Sequence, residues 1–251
     1  MGFGDELMAL GRCETIFART GKSVAILDKY GQRRAHELWR GNPAWDIRSK
    51  TTITDGPGGA RPYILRYEGA RIIFDTLYRP RAGRVVLTAS EDRCTIEGPF
   101  AVVSPFIKEQ ASPNKSWGVK RWQKVIGDFP IPVYQLGPVQ GRTLKGAQFH
   151  ATPDMRRAAA VVSRAALVLT NEGGMHHLAA SMNRPAVVVF GGFTDPDVTG
   201  YRQHVNLVGE NGHRGCGRYD PCLECEMAMA SISPDVVRKE AERLLHESER
   251  S

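Results

Sequence analysis

The segment ALVLTNEGGMHHLAASMNRPAVVVFGG, residues 166–192, holds an acid, two glycines and two histidines between two apolar runs. Gly173 and Gly174 stand at the start of a predicted helix, where they let the backbone approach a ligand closely and leave helix amides facing an anion. A phosphate or pyrophosphate fits that description. Because a carboxylate repels phosphate, Glu172 is expected to contact ribose hydroxyls or a cationic partner. The alternative is a glycine turn with a capping acid and a core histidine.

A second group of candidate residues forms the pattern H-x2-C-x5-C-x2-C within HRGCGRYDPCLEC. It brings together His213, Cys216, Cys222 and Cys225, four soft ligands that could bind zinc in tetrahedral geometry. A zinc ion held there would be structural, since protein atoms would fill all four positions. The alternative is a loop of free, partly buried thiols.

The second half of the chain alternates short apolar runs with helix-like stretches, which is typical of a parallel sheet covered on both faces. The runs are residues 100–106, 131–137, 166–171 and 185–192. In such a sheet ligands bind beyond the carboxyl ends of the strands, and the acid–glycine turn lies at such an end. Thr152 and Pro153 predict one helix start, and Ser233 with Pro234 predicts a terminal helix over 234–249.

The first half of the chain is less regular. We predict a helix over 5–20, a strand over 22–28 and a helix over 31–41, followed by short strands among glycines and prolines. TDGPGGARP, residues 54–62, predicts a mobile surface loop. A new strand–helix series begins after Glu97-Gly98-Pro99. We therefore predict two unequal lobes, residues 1–98 and 99–251, with a cleft between them.

Three segments resemble family 9 glycosyltransferases, the ADP-heptose:lipopolysaccharide heptosyltransferase family. MGFGDELMALG is similar to the family's Gly-x-Gly-Asp turn, and ASPNKSWGVKRWQKVI is similar to its Lys-x-Trp motif and the helix after it. The longest segment, 152–200, matches the family's acid–glycine turn, His-Leu-Ala-Ala helix and Thr-Asp-Pro motif. The matching residues there are Glu172, Gly174, His177, Leu178, Ala179, Ala180, Pro185, Phe190, Gly191, Thr194, Asp195 and Pro196.

This resemblance implies an α/β fold of the GT-B type, with two Rossmann-like lobes of which the N-terminal one is reduced. It also implies an inverting glycosyltransferase that needs no cofactor and takes its sugar from a nucleotide sugar. Asp5 would be the general base that deprotonates the acceptor hydroxyl, and Lys115 would contact the donor phosphate. The alternatives are a helix-start aspartate at Asp5 and a solvated loop lysine at Lys115.

The other residues with roles in this interpretation lie on the donor side. Glu172, Gly173, Gly174 and the amides near Met175 would surround the diphosphate and ribose. Three further candidates are Gln140, for a base or ribose contact, His177, which would support the turn from its helix, and Asp195, which would hold the loop over the donor.

The sequence departs from the family in ways that bear on the donor and the acceptor. Glu172 replaces the usual aspartate, and Gly173 replaces the usual threonine. The family has a strand before the Gly-x-Gly-Asp turn, whereas Met1 directly precedes Gly2 here, so a lost or trimmed strand stays open. The short N-terminal lobe, which is the acceptor side in the family, leaves open an acceptor other than a lipopolysaccharide core sugar.

Composition leaves several function classes open. The family resemblance implies a glycan-type acceptor, whereas the net charge of +7 and the arginines between Arg61 and Arg93 would suit a hydroxylated base in DNA. A catalytically silent nucleotide- or partner-binding module is a third alternative. The five cysteines, an odd and low number, favour a reducing, cytoplasmic setting. No apolar run approaches the ~20 residues that span a membrane.

Overall fold

The computed structural model describes residues 2–55 and 61–248, which form seven α-helices, ten β-strands and two 3₁₀ turns. The helices are α1 (Phe3–Thr20), α2 (Val119–Ile126), α3 (Met155–Val162), α4 (Gly174–Ser181), α5 (Pro196–Thr199), α6 (Leu223–Ser231) and α7 (Pro234–Ser248). The strands are β1 (Ala25–Leu27), β2 (Thr52–Thr54), β3 (Ile64–Glu68), β4 (Arg71–Phe74), β5 (Ala101–Ser104), β6 (Val133–Gly137), β7 (Gln148–Ala151), β8 (Leu167–Asn171), β9 (Ala186–Gly191) and β10 (Val205–Val208). None of these helices is both long and apolar enough to cross a membrane.

Six parallel strands form the central sheet, in the order β10-β9-β8-β5-β6-β7. Strands β5, β6, β8 and β9 fall within the four predicted apolar runs, so the predicted α/β class with a parallel sheet is confirmed. The sequence analysis missed the edge strands β7 and β10. Their side chains are only partly buried or exposed, and they therefore lack the continuous apolar pattern that marks a central strand.

Two hydrophobic clusters cover the two faces of this sheet. On one face Val102 and Val168 pack with α1, α3 and α4, and on the other Val103 and Leu169 pack with α2 and α7. Because side chains alternate across a strand, burial on both faces requires the apolar runs seen in the sequence. Helix α1 comes from the N-terminal half yet shares a cluster with the sheet of the C-terminal half. The lobe boundary near residue 98 stays a prediction.

The helix predicted over 31–41 is wrong. Only Glu37–Trp39 form a 3₁₀ turn there. The Asp28 carboxylate accepts hydrogen bonds from two backbone N–H groups that follow it, and Gly31 adopts a φ of 79°, so a tight turn takes the place of the first helical turn. The backbone N–H of Arg34 then donates to a carbonyl of β1, which holds this segment in an extended conformation.

The two predicted helix starts have different outcomes. Helix α3 begins later than expected, because its cap is Asp154, whose carboxylate accepts from the backbone N–H of Arg157 at 2.8 Å. Thr152 instead donates its backbone N–H to β6 and so continues the pairing of β7. The start of α7 is confirmed, since the Ser233 hydroxyl accepts from the N–H of Val236 at 3.2 Å. Residue 249, the predicted end of that helix, lies outside the described residues.

The N-terminal half adds two small sheets to the central one. Strands β1 and β2 pair in parallel, and β3 and β4 form an antiparallel hairpin. Residues 56–60 of the loop predicted before this hairpin lie outside the described residues. Tyr63, just before β3, is 8% exposed, so the hairpin brings a buried phenol toward the sheet.

Candidate functional site

A cavity of about 810 Å³ lies at the carboxyl edge of the central sheet. Ser104, Gly137 and Asn171, at the ends of β5, β6 and β8, line it from the sheet. Asp5 and Tyr63 line it from the N-terminal half. This is the place where parallel α/β sheets bind ligands, and both halves of the chain reach it.

Lys115 and Glu172 form an ion pair in this cavity. The Lys115 Nζ lies 2.6 Å from Glu172 Oε2, and the side chains are 20% and 5% exposed. The same Nζ stands 4.8 Å from the centroid of the Phe193 ring, which adds a cation–π contact. Glu172 thus has a cationic partner, one of the two contacts expected for it. An anion bound beside Lys115 would contact the same ammonium group as Glu172.

Asn171 connects the acid–glycine turn to the helix after Lys115. Its Oδ1 accepts from the backbone N–H of Trp117 and from the indole N–H of Trp122, both at 3.3 Å. Its Nδ2 donates to the carbonyl of Pro105 at 2.8 Å. A buried amide with every bond satisfied holds its neighbours in one arrangement, so β8 sets the position of the segment that carries Lys115.

The N-termini of α1 and α4 interlock beside the cavity. A Cβ added to Gly4 would lie 2.4 Å from the His177 ring, and one added to Gly174 would lie 2.3 Å from the Phe3 ring. Each helix therefore places a glycine where the other places a ring. Gly174 is needed for this packing, whereas a Cβ on Gly173 would meet only open space, with a backbone oxygen 4.0 Å away. Two helix N-termini, each with a partial positive charge, face the same cavity.

Asp5 is held by three groups at the start of α1. Its Oδ1 accepts from the Tyr63 hydroxyl at 2.5 Å, and its Oδ2 accepts from the backbone N–H of Gly2 at 3.1 Å. The Arg61 Nε stands 3.6 Å from Oδ2. Burial and the Asp5 charge raise the pKa of Tyr63 well above its ordinary value, so the phenol keeps its proton and orients the carboxylate.

His176 supports the acid–glycine turn, and the pKa values of both His176 and His177 lie well below neutral pH. The His176 Nδ1 accepts from the backbone N–H of Gly173 at 3.0 Å, so its Nε2 donates to the carbonyl of Thr199 at 2.9 Å. Burial lowers the pKa of His176 to about 4 and holds the pKa of His177 well below its ordinary value. The His177 Nδ1 pairs with the Tyr201 hydroxyl at 2.6 Å, and its ring lines the cavity.

These histidines predict loss of stability in acid. Burial lowers the pKa of His176 to about 4 and that of His204 to about 3, and it lowers the pKa of His177 as well. The unfolded chain, with pKa values near 6.5, binds these protons first, so acid favours unfolding. Asp55 opposes them with one proton, because burial raises its pKa to about 6. We expect urea titrations to show a free energy of unfolding lower by about 5–6 kcal/mol at pH 4.5 than at pH 7.

A variant of His204 tests the cause of that loss. His204 is 6% exposed and contacts the rings of Tyr201 and His176. His204→Met fills the same space without a titrating group, so its unfolding free energy should fall with acid less steeply, by up to about 1.4 kcal/mol per pH unit. Equal wild-type stability at pH 7 and pH 4.5 would contradict this account.

The predicted site residues mostly meet at the cavity. Its lining includes Asp5, Lys115, Glu172, Gly173, Gly174, Met175 and His177. Gln140 is exposed on the loop after β6 and is not among the lining residues, whereas its neighbour Pro138 is. Asp195 caps α5 by accepting from the backbone N–H of Asp197 at 2.9 Å. The roles of these residues in binding or catalysis stay predictions.

Sequence reasoning missed Arg61, Tyr63 and Phe193, all of which line the cavity. Arg61 and Tyr63 contact Asp5 although they lie more than fifty residues away in the sequence. Tyr63 and Asp5 are 58 residues apart. No local pattern marks such a contact. Phe193 stands in the segment that carries the family resemblance, and its apolar side chain among polar neighbours was the available signal.

The cysteine cluster forms a candidate metal centre away from the lining of the cavity. One ligand atom from each of His213, Cys216, Cys222 and Cys225 lies within 4.8 Å of the others. None of the five cysteines is in a disulfide, and the three cysteines of this cluster are buried. Glu224 Oε2 lies 3.3 Å from His213 Nδ1, and His213 Nε2 lies 3.8 Å from Cys222 Sγ. The carboxylate thus orients the ring as outer-shell partners of metal-bound histidines do.

Comparison with known proteins agrees with this geometry in the part that holds the acid–glycine turn and the cysteines. Residues 145–225 match the model of glycosyltransferase family 9 (heptosyltransferase). The resemblance to this family is thereby confirmed. The matched segment includes Glu172, His177 and Cys225, whereas Asp5 and Lys115 precede it.

Solved structures of the family share the fold. A glycosyl transferase family 9 protein from Veillonella parvula superposes with a TM-score of 0.63 at 15% identity, covering 98% of this chain and 95% of that one. The iron-containing dodecameric glycosyltransferase TibC from enterotoxigenic E. coli gives 0.54 at 17% identity, with 68% of this chain and 50% of TibC covered. E. coli ADP-heptose LPS heptosyltransferase II gives 0.50 at 17% identity, with 66% and 54% covered. The GT-B type of fold predicted from the sequence is thus confirmed.

The chain spans about half the length of two of these relatives, 54% of heptosyltransferase II and 50% of TibC. A search of curated proteins gives no sequence match. The comparisons thus show a shared fold. The observations that bear on activity, substrates and partners are those of the cavity.

Proposed function

We propose that this protein is an inverting glycosyltransferase, which moves a sugar from a nucleotide-diphosphate sugar to an acceptor hydroxyl. One observation carries the proposal: a single cavity holds the Asp5 carboxylate, the Lys115–Glu172 pair and the N-terminus of α4. A base, a cation and helix amides are what transfer from a diphosphate leaving group requires. The family match over 145–225 supports the same chemistry.

The donor diphosphate is proposed to bind between Lys115 and the N-terminus of α4. The amides of Gly174 and Met175 begin that helix, where the helix dipole favours an anion. Glu172 holds the Lys115 ammonium beside this helix and is available for ribose hydroxyls. Gln140 stays a candidate for the nucleoside, on the loop next to the cavity.

Asp5 is proposed to act as the general base in a single displacement. Its carboxylate takes the proton of the acceptor hydroxyl while the acceptor oxygen bonds to the anomeric carbon. The bond between that carbon and the diphosphate oxygen breaks at the same time, which inverts the configuration. The nucleoside diphosphate leaves with its new charge stabilised by Lys115 and the amides, so the step uses no metal.

The acceptor is proposed to be a glycan- or lipopolysaccharide-type hydroxyl compound that enters from the side of Asp5. Arg61 and Tyr63 line the cavity beside Asp5 and offer hydrogen bonds to such a molecule. We also propose a cytoplasmic setting, because all five cysteines are free, as is usual in a reducing compartment.

Lys115 is expected to dominate the affinity for a nucleoside diphosphate. Lys115→Ala should raise the dissociation constant by about 10- to 100-fold, because it removes the cation and leaves the Glu172 carboxylate facing the phosphates. The double variant Lys115→Ala/Glu172→Ala should bind more tightly than Lys115→Ala, since the repulsion is also gone. Isothermal titration calorimetry of the three proteins measures this order.

Lys120→Ala is the matched control, because Lys120 is an exposed lysine at the start of α2 outside the cavity lining. It should bind like the wild type. An equal loss in the Lys115 and Lys120 variants would mean that general charge attracts the nucleotide, and that Lys115 holds no phosphate.

We further propose that the cysteine cluster holds a structural zinc ion. Three thiolates and one imidazole are a common ligand set for zinc in proteins, and four protein ligands close the site to substrate. His213, Cys216, Cys222 and Cys225 already lie close enough to fit one ion with small adjustments. The zinc would stabilise the loop and take no part in sugar transfer.

A further inference from the structure

Residues 213–225, the cysteine loop, bury little apolar surface of their own. Strand β10 ends at Val208 and α6 begins at Leu223, with no other helix or strand described between them. The only hydrophobic cluster that the loop forms for itself consists of its three cysteines. Three small side chains bury little apolar surface against the entropy of ordering a glycine-rich loop. A metal bound to the four ligands would supply the missing constraint.

One side of the cysteine loop is bonded to the turn that carries Lys115. The buried Asn114 amide donates to the carbonyls of Arg218 at 2.9 Å and Asp220 at 2.8 Å, and its Oδ1 accepts from the N–H of Cys222 at 2.9 Å. The Ser112 hydroxyl also donates to the Arg218 carbonyl, at 2.7 Å. Asn114, the residue directly before Lys115, thus makes its side-chain hydrogen bonds with the cysteine loop.

The other side of the loop is bonded to the hairpin β3–β4. The N–H of Ile72 donates to the carbonyl of Gly217 at 2.9 Å, and the N–H of Tyr219 donates to the carbonyl of Ala70 at 2.9 Å. Gly217 has a φ of 67°, and a Cβ there would lie 2.0 Å from the carbonyl oxygen of Ile72. The hairpin follows Tyr63, which orients Asp5, so the loop also supports the proposed base.

The end of β9 completes these contacts. The N–H of Cys216 donates to the carbonyl of Gly192, and that of Gly217 donates to the carbonyl of Phe193, both at 3.0 Å. Phe193 is the ring below the Lys115 ammonium. Gly217, the neighbour of the candidate metal ligand Cys216, is therefore one hydrogen bond away from Phe193, which contacts the Lys115 ammonium.

We infer that the cysteine loop, when it binds a metal, is a strut that connects the donor side of the cavity with the Asp5 side. Asn114 is the positioning residue through which the ordered loop fixes the position of Lys115. This inference rests on the proposed function. Occupancy of the zinc site then sets the affinity for the nucleoside diphosphate. Thermodynamic linkage requires the reverse as well: the bound nucleotide tightens zinc by the same factor.

The experiment compares zinc-loaded and zinc-free protein, kept reduced, with zinc content measured by elemental analysis. The probe is the nucleoside diphosphate among ADP, UDP, GDP and CDP that binds the loaded protein most tightly. Removing zinc from the wild type should raise its dissociation constant about fivefold or more. In Asn114→Ala, zinc should still bind, affinity should already be weak, and removing zinc should change it less than about twofold.

Gln123→Ala is the control for losing a bridging amide. The Gln123 side chain joins the backbone N–H and carbonyl of Lys145 and lies outside the cavity lining. It should keep the wild-type response to zinc. Thermal unfolding of each variant confirms that the compared proteins are folded.

A second readout serves if zinc-free protein unfolds. Zinc affinity, measured by equilibrium competition with a colorimetric chelator, should be raised by the nucleotide about fivefold or more in the wild type and by less than about twofold in Asn114→Ala. Nucleotide affinity that is unchanged by zinc, or full coupling in Asn114→Ala, would overturn the strut while leaving the proposed donor site intact. A zinc-loaded protein that binds none of the four nucleotides would overturn both.

Discussion

Asp5→Asn is expected to reduce the rate of sugar transfer by about 10²- to 10⁴-fold, the usual contribution of a general base. The asparagine Oδ1 can still accept from the N–H of Gly2, and its Nδ2 can donate to the Tyr63 phenol oxygen, so the helix start should keep its shape. It cannot take the acceptor proton. Affinity for the nucleoside diphosphate should change little, which separates loss of chemistry from loss of binding.

Release of nucleoside diphosphate from a nucleotide sugar, in the presence of bacterial glycan acceptors, measures this effect by mass spectrometry. Asp28→Asn is the matched control, because Asp28 caps a turn outside the cavity lining. Its rate should equal that of the wild type. Full transfer by Asp5→Asn would remove Asp5 from the mechanism and favour a module that binds nucleotides without catalysis.

Arg156→Leu is expected to lower the free energy of unfolding by about 3–5 kcal/mol, because it removes the buried partner of Glu91, which keeps only the more exposed Arg40 as a cationic partner, and because two backbone carbonyls lose their donor. Arg156 is 2% exposed, and its guanidinium contacts Glu91 through two bonds of 2.7 and 2.6 Å. It also donates to the carbonyls of Glu37 and Val86. One residue of α3 therefore ties two segments of the N-terminal half to the central sheet.

Urea unfolding measures the change, and Arg157→Leu controls for loss of a neighbouring charge on the same helix. Arg157 makes a single long bond, 3.4 Å, to the Ser90 carbonyl, so its loss should cost less than about 1 kcal/mol. Equal losses in the two variants would show that the Arg156 network adds nothing beyond a surface contact.

The parts of the fold that could be predicted are those with a repeating local cause. Strands β5, β6, β8 and β9 are mostly buried on both faces, so most of their positions are apolar and the pattern is visible without knowing the partners. The start of α4 was marked by glycines and polar residues at a strand end. Together with the family resemblance, these two signals were sufficient to predict that Lys115, Glu172 and Asp5 lie in one cavity.

Other features depend on contacts between distant parts of the chain. Gly174 was expected to make room for a ligand, yet the structure shows that it makes room for the Phe3 ring. Asn114 carries no local signal of its role, because its partners lie more than a hundred residues away in the sequence, 104 residues for the Arg218 carbonyl. Polar residues that serve one specific partner carry no periodic signal.

The cysteine pattern lies between these two cases. Its spacing indicated a metal site, and the structure brings all four ligand atoms within 4.8 Å of one another. Spacing alone gave no connection between that site and the donor cavity. The connection runs through backbone carbonyls of Arg218 and Asp220, which any residue type at those positions would supply.

Calorimetric titration of the wild-type protein with ADP, UDP, GDP and CDP tests the central claim, that this cavity is a nucleotide-sugar site, most directly. We predict selective binding of one diphosphate with a micromolar dissociation constant, and competition by the corresponding nucleotide sugar. Absence of binding across all four diphosphates, by protein shown to be folded and zinc-loaded, would contradict the account and leave the cavity to another class of ligand.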